Sequence, residues 1–134
     1  MNQTTTPTSS IVYVSKHQKE IQTKLIKSLL DLIVLQQINQ APMHGYQIIT
    51  QTRKTFNTYF GPSTIYPLLT SLEKKGYLNS TWNMAAEKPR KIFSITTVGK
   101  NVLKLTENTL NNLYKTIHTP KTPLNTITLT TNPT

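Results

Sequence analysis

A mostly helical fold with one small β-hairpin (α+β) is predicted by three features of the sequence. Residues 61–76 read as a single helix with both ends marked by glycine, residues 77–96 as two alternating strands around a basic turn, and residues 97–117 as a long helix. Each signal is a periodicity, 3.6 residues for the helices and 2 for the strands, and each is bounded by residues that stop it.

In chain order, residues 1–23 are expected to be a mobile N-terminal arm, since the first ten are mostly Thr, Ser, Asn and Pro and bury too little apolar surface to offset their ordering entropy. Ile11, Val12, Tyr13 and Val14 read equally as a short strand or as the lead-in to the first helix. From about residue 24 to 39, Leu25, Leu29, Leu30, Leu32, Ile33, Leu35 and Ile38 cover more than one side of a helix, which demands burial on two sides. Either it is a central core helix only, or it also meets a second subunit. Residues 40–44 break the pattern, and residues 45–56 form a second, shorter helix that groups Tyr46, Ile49, Arg53 and Phe56, with Ile48 beside them. His44, in the turn before it, is placed to cap that helix or to touch a phosphate.

The third helix is the best marked. Gly61 suits the N-cap, Pro62 the first helical position and Gly76 the left-handed residue after the end. Ile65, Leu68, Leu69 and Leu72 make an apolar stripe that must be buried. The opposite face carries Ser63, Pro67, Thr70 and Lys74, with Tyr66 and Ser71 on its shoulders and Glu73 nearer the buried edge. Pro67 removes the bond to the Ser63 carbonyl, at about 3 kcal/mol in a regular helix, so the helix is either bent there or loose in its first turn. Two helices joined by a short turn ahead of a third follow the helix-turn-helix order.

In the first strand Leu78, Ser80, Trp82 and Met84 share one face, with Trp82 expected to anchor the hairpin hydrophobically. The turn and the start of the second strand bear Lys88, Arg90 and Lys91 against Glu87. A basic hairpin after such a helix is a wing, and residues 24–96 are accordingly read as a winged helix-turn-helix DNA-binding domain. Residues 97–118, with Val98, Val102, Leu103, Leu105, Leu110, Leu113, Tyr114 and Ile117 at only approximately heptad intervals, are read as a long C-terminal dimerisation helix. Residues 119–134, rich in Thr, Asn and Pro, are read as a disordered tail.

Composition narrows the chemistry. Among 134 residues, 15 Lys and Arg stand against 5 Asp and Glu, a net charge of +10, which points to a polyanionic partner. Most of the excess lies in residues 24–96, where nine bases face three acids. No stretch is long and apolar enough to span a membrane and the N-terminus lacks a signal-peptide layout, so a soluble cytoplasmic protein with no membrane partner is expected. There is no cysteine, hence no disulfide or thiolate metal site. His17 and His118 have neither a carboxylate nor a second histidine at ligand spacing, and no catalytic triad, carboxylate pair or phosphate-binding glycine loop is present. No metal, no cofactor and no enzymatic activity are expected.

The elements from Pro42 through Tyr46 to Ile48, from Thr64 through Tyr66 and Pro67 to Leu69, and from Leu72 through Gly76 to Leu78, followed by Trp82, Arg90, Lys91 and the run from Thr96 to Lys100, resemble the PadR-like family of winged-helix transcriptional regulators. The match covers about residues 25 to 117. The resemblance implies a homodimer joined by its C-terminal helix, binding double-stranded operator DNA through the third helix and the wing, usually as a repressor, with a palindromic operator. Where family members often have Ser this chain has Gly61, which weakens the cap by a few tenths of a kcal/mol. Ile92 and Phe93 stand where an aromatic pair is common, which bears on any small-molecule site built from those rings. A small-molecule effector is left open, its identity unknown. The candidate DNA-binding residues are Ser63, Thr64, Tyr66, Thr70 and Lys74 on the third helix, Lys88, Arg90 and Lys91 on the wing, and His44 and Tyr46 at the start of the second helix. A winged-helix module for protein contacts in a transcription or other multi-subunit assembly is the alternative from a different class, and an RNA-binding winged helix is the other rival.

Overall fold

The computed structural model describes residues 8–85 and 87–119, with the side chains of residues 8–15 aside. The predicted tail, from residue 120, and the first seven residues of the predicted arm lie outside the described residues.

Five helices and three short strands follow one another as α1 (Thr8–Ser28), α2 (Leu30–Gln40), β1 (Met43–His44), α3 (Gly45–Phe56), α4 (Pro62–Lys74), β2 (Leu78–Asn83), β3 (Arg90–Ile95) and α5 (Thr97–His118). The fold is a winged helix, as the sequence predicts, with three differences of detail.

First, the expected mobile arm is helical from Thr8 onward, and the expected first helix is divided at Leu29, between α1 and α2. The α1 segment holds to the domain by Ile26, buried in the core, and by two polar side chains. Lys19 donates to the carbonyl of Asn57 and the Gln22 amide to that of Phe56 at 3.1 Å, which satisfies carbonyls left over where α3 ends. Composition alone reads such a segment as solvated, because its partners lie more than thirty positions downstream.

Second, the break at residues 40–44 contains a strand. β1 pairs antiparallel with β3, Met43 opposite Phe93 and His44 opposite Ile92, in a sheet of order β1-β3-β2. Two residues are too few to show a period. Third, the buried stripe of α3 is Gly45, Ile48, Ile49 and Thr52, a quarter turn from the expected grouping on Tyr46, Ile49, Arg53 and Phe56. A buried Thr is accommodated because Gln37 Nε2 donates to its hydroxyl at 3.0 Å.

The core collects Val34, Leu35 and Ile38 of α2, Ile48 of α3, Ile65, Leu69 and Leu72 of α4, Leu78, Phe93 and Leu103. α2 is its centre, touching α1, α3, β3 and α5, so burial on two sides is realised. α4 begins and ends as its sequence indicates. Gly61 is its N-cap, and Gly76 takes φ 81° while Tyr77 N–H reaches the Leu72 carbonyl at 3.0 Å. The helix runs unbroken through Pro67, and its first turn is tight, the N–H groups of Thr64 and Ile65 both donating to the Gly61 carbonyl at 3.0 Å.

Where α4, both long strands and α5 meet, the chain is tied together by hydrogen bonds centred on Thr96. Thr96 caps α5 by accepting from Gly99 N–H at 2.9 Å, its own N–H donates to the Tyr77 carbonyl at 3.0 Å, and its hydroxyl donates to the Gly76 carbonyl at 2.6 Å. This junction sets the angle at which α5 leaves the domain.

Candidate nucleic-acid interface

α4 buries Ile65, Leu69 and Leu72, with Leu68 half-buried, and turns Ser63, Tyr66, Thr70 and Lys74 to solvent, with Thr64 half-exposed. The amphipathic stripe alone decides this orientation. Thr70 donates its hydroxyl proton to the Tyr66 carbonyl at 3.0 Å, so toward a ligand its oxygen is an acceptor. Tyr66, 45% exposed, lies with its ring across the start of α3. That approach needs a glycine beneath it: a Cβ on Gly45 would stand 2.5 Å from the Tyr66 ring.

His44 ends β1 and caps α3. Its Nδ1 accepts from Gln47 N–H at 3.3 Å, and Gln47 Oε1 accepts from His44 N–H at 3.0 Å, a reciprocal capping box. On its other side Nε2 faces the Arg90 guanidinium at 2.9 Å. Arginine can only donate, and a neutral imidazole has a single lone-pair nitrogen. The two donors therefore compete for one acceptor. Burial first, and the Arg90 charge second, hold the His44 pKa below its ordinary 6.5.

That depression has a stability consequence of defined sign. The unfolded chain takes up a proton at His44 near pH 6.5 while the folded chain resists it, so stability present above pH 6.5 is lost as pH falls below that value. We expect the melting temperature to fall on acidification below pH 6.5. His44→Asn, which keeps an oxygen for the Gln47 N–H and does not titrate, should flatten that fall. Glu73 contributes separately: its hydrogen bond from Ser80 first, then Lys91, hold its carboxyl below 4.5, so its share is lost only as pH falls through 4.5. An unchanged acid slope in His44→Asn between those two values would show that His44 is not the group responsible.

Of the wing's bases, Arg90 starts β3 beside His44 and is exposed, and Lys88 lies exposed in the turn. Lys91 is differently engaged, with Nζ 3.4 Å from Glu73 of α4 and 5.6 Å from the centre of the Phe93 ring. It fastens the wing to α4 and is half-buried. Trp82 departs from expectation: in place of a buried anchor it is 62% exposed, opposite Lys91 in the sheet. Leu78 and Ser80 on its face are covered by the domain, but the strand then runs past the core, so residues at its far end keep their face and lose their cover.

The structure brings His44, Tyr46, Tyr66, Arg90 and Lys91 together around one open cleft of about 390 Å³, which Trp82 also lines. Ser63, Thr64, Thr70 and Lys74 stand along the α4 face, and Lys88 at the hairpin tip. Sequence reasoning missed Trp82 as part of this surface; the available signal was its position near the end of a strand that begins in the core. Among the described residues, no three His, Cys, Asp or Glu side chains gather as a metal site, although His17 does stand 3.9 Å from Glu20, closer to a carboxylate than expected from its spacing. No described helix is long and apolar enough to cross a membrane.

Residues 34–105 match the model of the transcriptional regulator PadR-like family. Comparison with curated proteins gives no match. Among solved structures, a PadR family transcriptional regulator from Eggerthella lenta superposes with a TM-score of 0.68 at 26% identity, covering 87% of this chain and 100% of that one. A Streptococcus transcriptional regulator gives 0.64 at 28% identity, covering 75% and 99%. One from Clostridium thermocellum gives 0.66 at 24%, covering 74% and 99%; at that identity the likeness is one of fold. With a family match over most of the winged-helix core and relatives of the same architecture, the chain belongs to the PadR-like family of transcriptional regulators, and its work is regulation through DNA, not catalysis.

Proposed function

We propose that the protein is a repressor that binds a palindromic operator in the cytoplasm as a homodimer, with α4 in the major groove and the wing on the sugar–phosphate backbone. The observation that carries this reading is the α4 outer face: short hydroxyl side chains and Tyr66, no carboxylate among them, flanked by Lys74 at one end and the Arg90-bearing cleft at the other. Small polar side chains let a helix approach base edges, while the cations take phosphates.

Dimerisation is supported by α5. Gly99, Leu103, Thr106, Leu110, Leu113 and Ile117 repeat at alternating intervals of four and three. The first three lie in or against the domain, whereas Leu113 and Ile117 are exposed and continue the same stripe with no described residue covering them. Such a seam is what a second helix covers.

The test is the ratio of affinities for operator and random duplex at one fixed salt concentration, with the operator first located by protection mapping upstream of the gene. Ser63→Ala, Tyr66→Phe and Thr70→Ala combined should leave the melting temperature almost unchanged, since none of the three is in the core. The ratio should fall by about 1–3 kcal/mol for each base pair that α4 no longer reads. Lys74→Ala should weaken both duplexes alike. A ratio that survives the triple variant removes α4 as the reader, and a flat salt response on duplex, against about 0.9 log units per phosphate contact, favours the protein-contact reading.

A further inference from the structure

Trp82 is the sole tryptophan of the chain and is left 62% exposed, where a large aromatic ring is ordinarily worth covering. A single exposed aromatic needs no explanation. Here three stand in one place: Tyr46 at 67%, Tyr66 at 45% and Trp82 line the same cleft, with Arg90 beside them. The cleft opens between the wing and α4, the two elements assigned above to backbone and groove. No carboxylate lines it, and Glu73, the partner of the lining Lys91 at 3.4 Å, is also bound by Ser80 at 2.5 Å.

Aromatic faces interleaved with cations form a surface suited to one chemistry, a sugar–phosphate strand that presents apolar deoxyribose and an anion in alternation. The indole also offers an N–H donor and no acceptor, which matches a phosphate oxygen. We propose that Trp82 is a DNA-contacting residue: its ring packs on the deoxyribose of the strand that enters between α4 and the wing, and its N–H donates to the adjoining phosphate. The inference rests on the DNA-binding reading and adds to it a contact that supplies affinity without base choice. Cross-strand pairing with Lys91, itself tied to Glu73 of α4, holds the wing strand at a set distance from the reading helix. A strand seated on Trp82 would thus fix how far α4 enters the groove.

Because the chain has one tryptophan, this packing has its own optical signal. The full-length protein is titrated with a labelled short duplex of mixed sequence at low fixed salt, following duplex anisotropy, tryptophan emission and acrylamide quenching together. We expect emission to change along the anisotropy curve, and quenching, efficient in the free protein, to fall when duplex is bound. Trp82→Ala should weaken binding by about tenfold, within the range for removing an aromatic ring that stacks on a nucleic acid, and Trp82→Phe by less. Both should keep the melting temperature and nearly the same salt slope, since no charge is removed. Unchanged emission and quenching at saturating anisotropy would overturn the inference and leave the DNA-binding reading standing. Absence of any anisotropy change would overturn that reading itself. Quenching already suppressed without DNA, and restored on dilution, would place Trp82 under a second copy and likewise overturn the inference.

Discussion

Gly99→Ala should destabilise the protein by about 3 kcal/mol, the upper part of the range for forcing a methyl group into filled space. A Cβ at Gly99 would stand 2.1 Å from the backbone carbonyl oxygen of Tyr77 and 2.8 Å from the Ile95 side chain. Ile95 can rotate, but the Tyr77 carbonyl cannot, because it accepts from Thr96 N–H and lies one residue past the left-handed Gly76. The first turn of α5 must therefore move away, and with it Leu103, which fills the core from that helix. For a chain of this size each kcal/mol lowers the melting temperature by roughly 4 °C, so the effect is measurable by thermal denaturation. Gly45→Ala is the contrasting variant. Its clash is with the ring of Tyr66, which is largely free to swing outward, so it should cost little stability while weakening DNA binding. A Gly99→Ala protein melting like the parent would refute the close packing of α5 on the start of β2.

Replacing Leu113 and Ile117 together by Gln should convert the protein to a monomer and lower operator affinity by about 100-fold or more, the gain that linking two half-site contacts ordinarily brings. Glutamine keeps helix propensity and leaves the net charge alone, so neither unfolding of α5 nor altered attraction to phosphate can produce the result. Removing the whole helix is a poorer experiment, since a chain ending near Thr97 would lose Leu103 from the core. Sedimentation velocity gives the mass directly, and the concentration dependence of the melting temperature seen for a dimer should vanish in the variant. A double variant that still sediments as a dimer, or binds operator undiminished, would show that the exposed stripe is not the joint.

The α4 helix, the paired long strands and the α5 helix are legible from residue order, because each is set by local periodicity and by glycine or proline at its ends. Ile65, Leu69 and Leu72 point inward for the same reason that Ser63 and Thr70 point outward, and no neighbour needs to be known to say so. The candidate DNA-facing residues of α4 can therefore be named from sequence. What sequence could not decide was anything requiring two distant segments to meet. β1 exists only because Met43 and His44 find the backbone of Phe93 and Ile92. The amino-terminal helix is fastened to the domain through Lys19 and Gln22 on carbonyls at the end of α3. His44 is recognisable as a cap, but its contest between Gln47 and Arg90 depends on the strand pairing, and Lys91 reads as a free cation because its partner Glu73 is eighteen positions away in a different element. Trp82 marks the boundary between the two kinds of knowledge. Its face of the strand follows from alternation with Leu78 and Ser80, whereas its exposure follows from how far the core extends beneath the strand, a property of the packed molecule that a period of two does not contain.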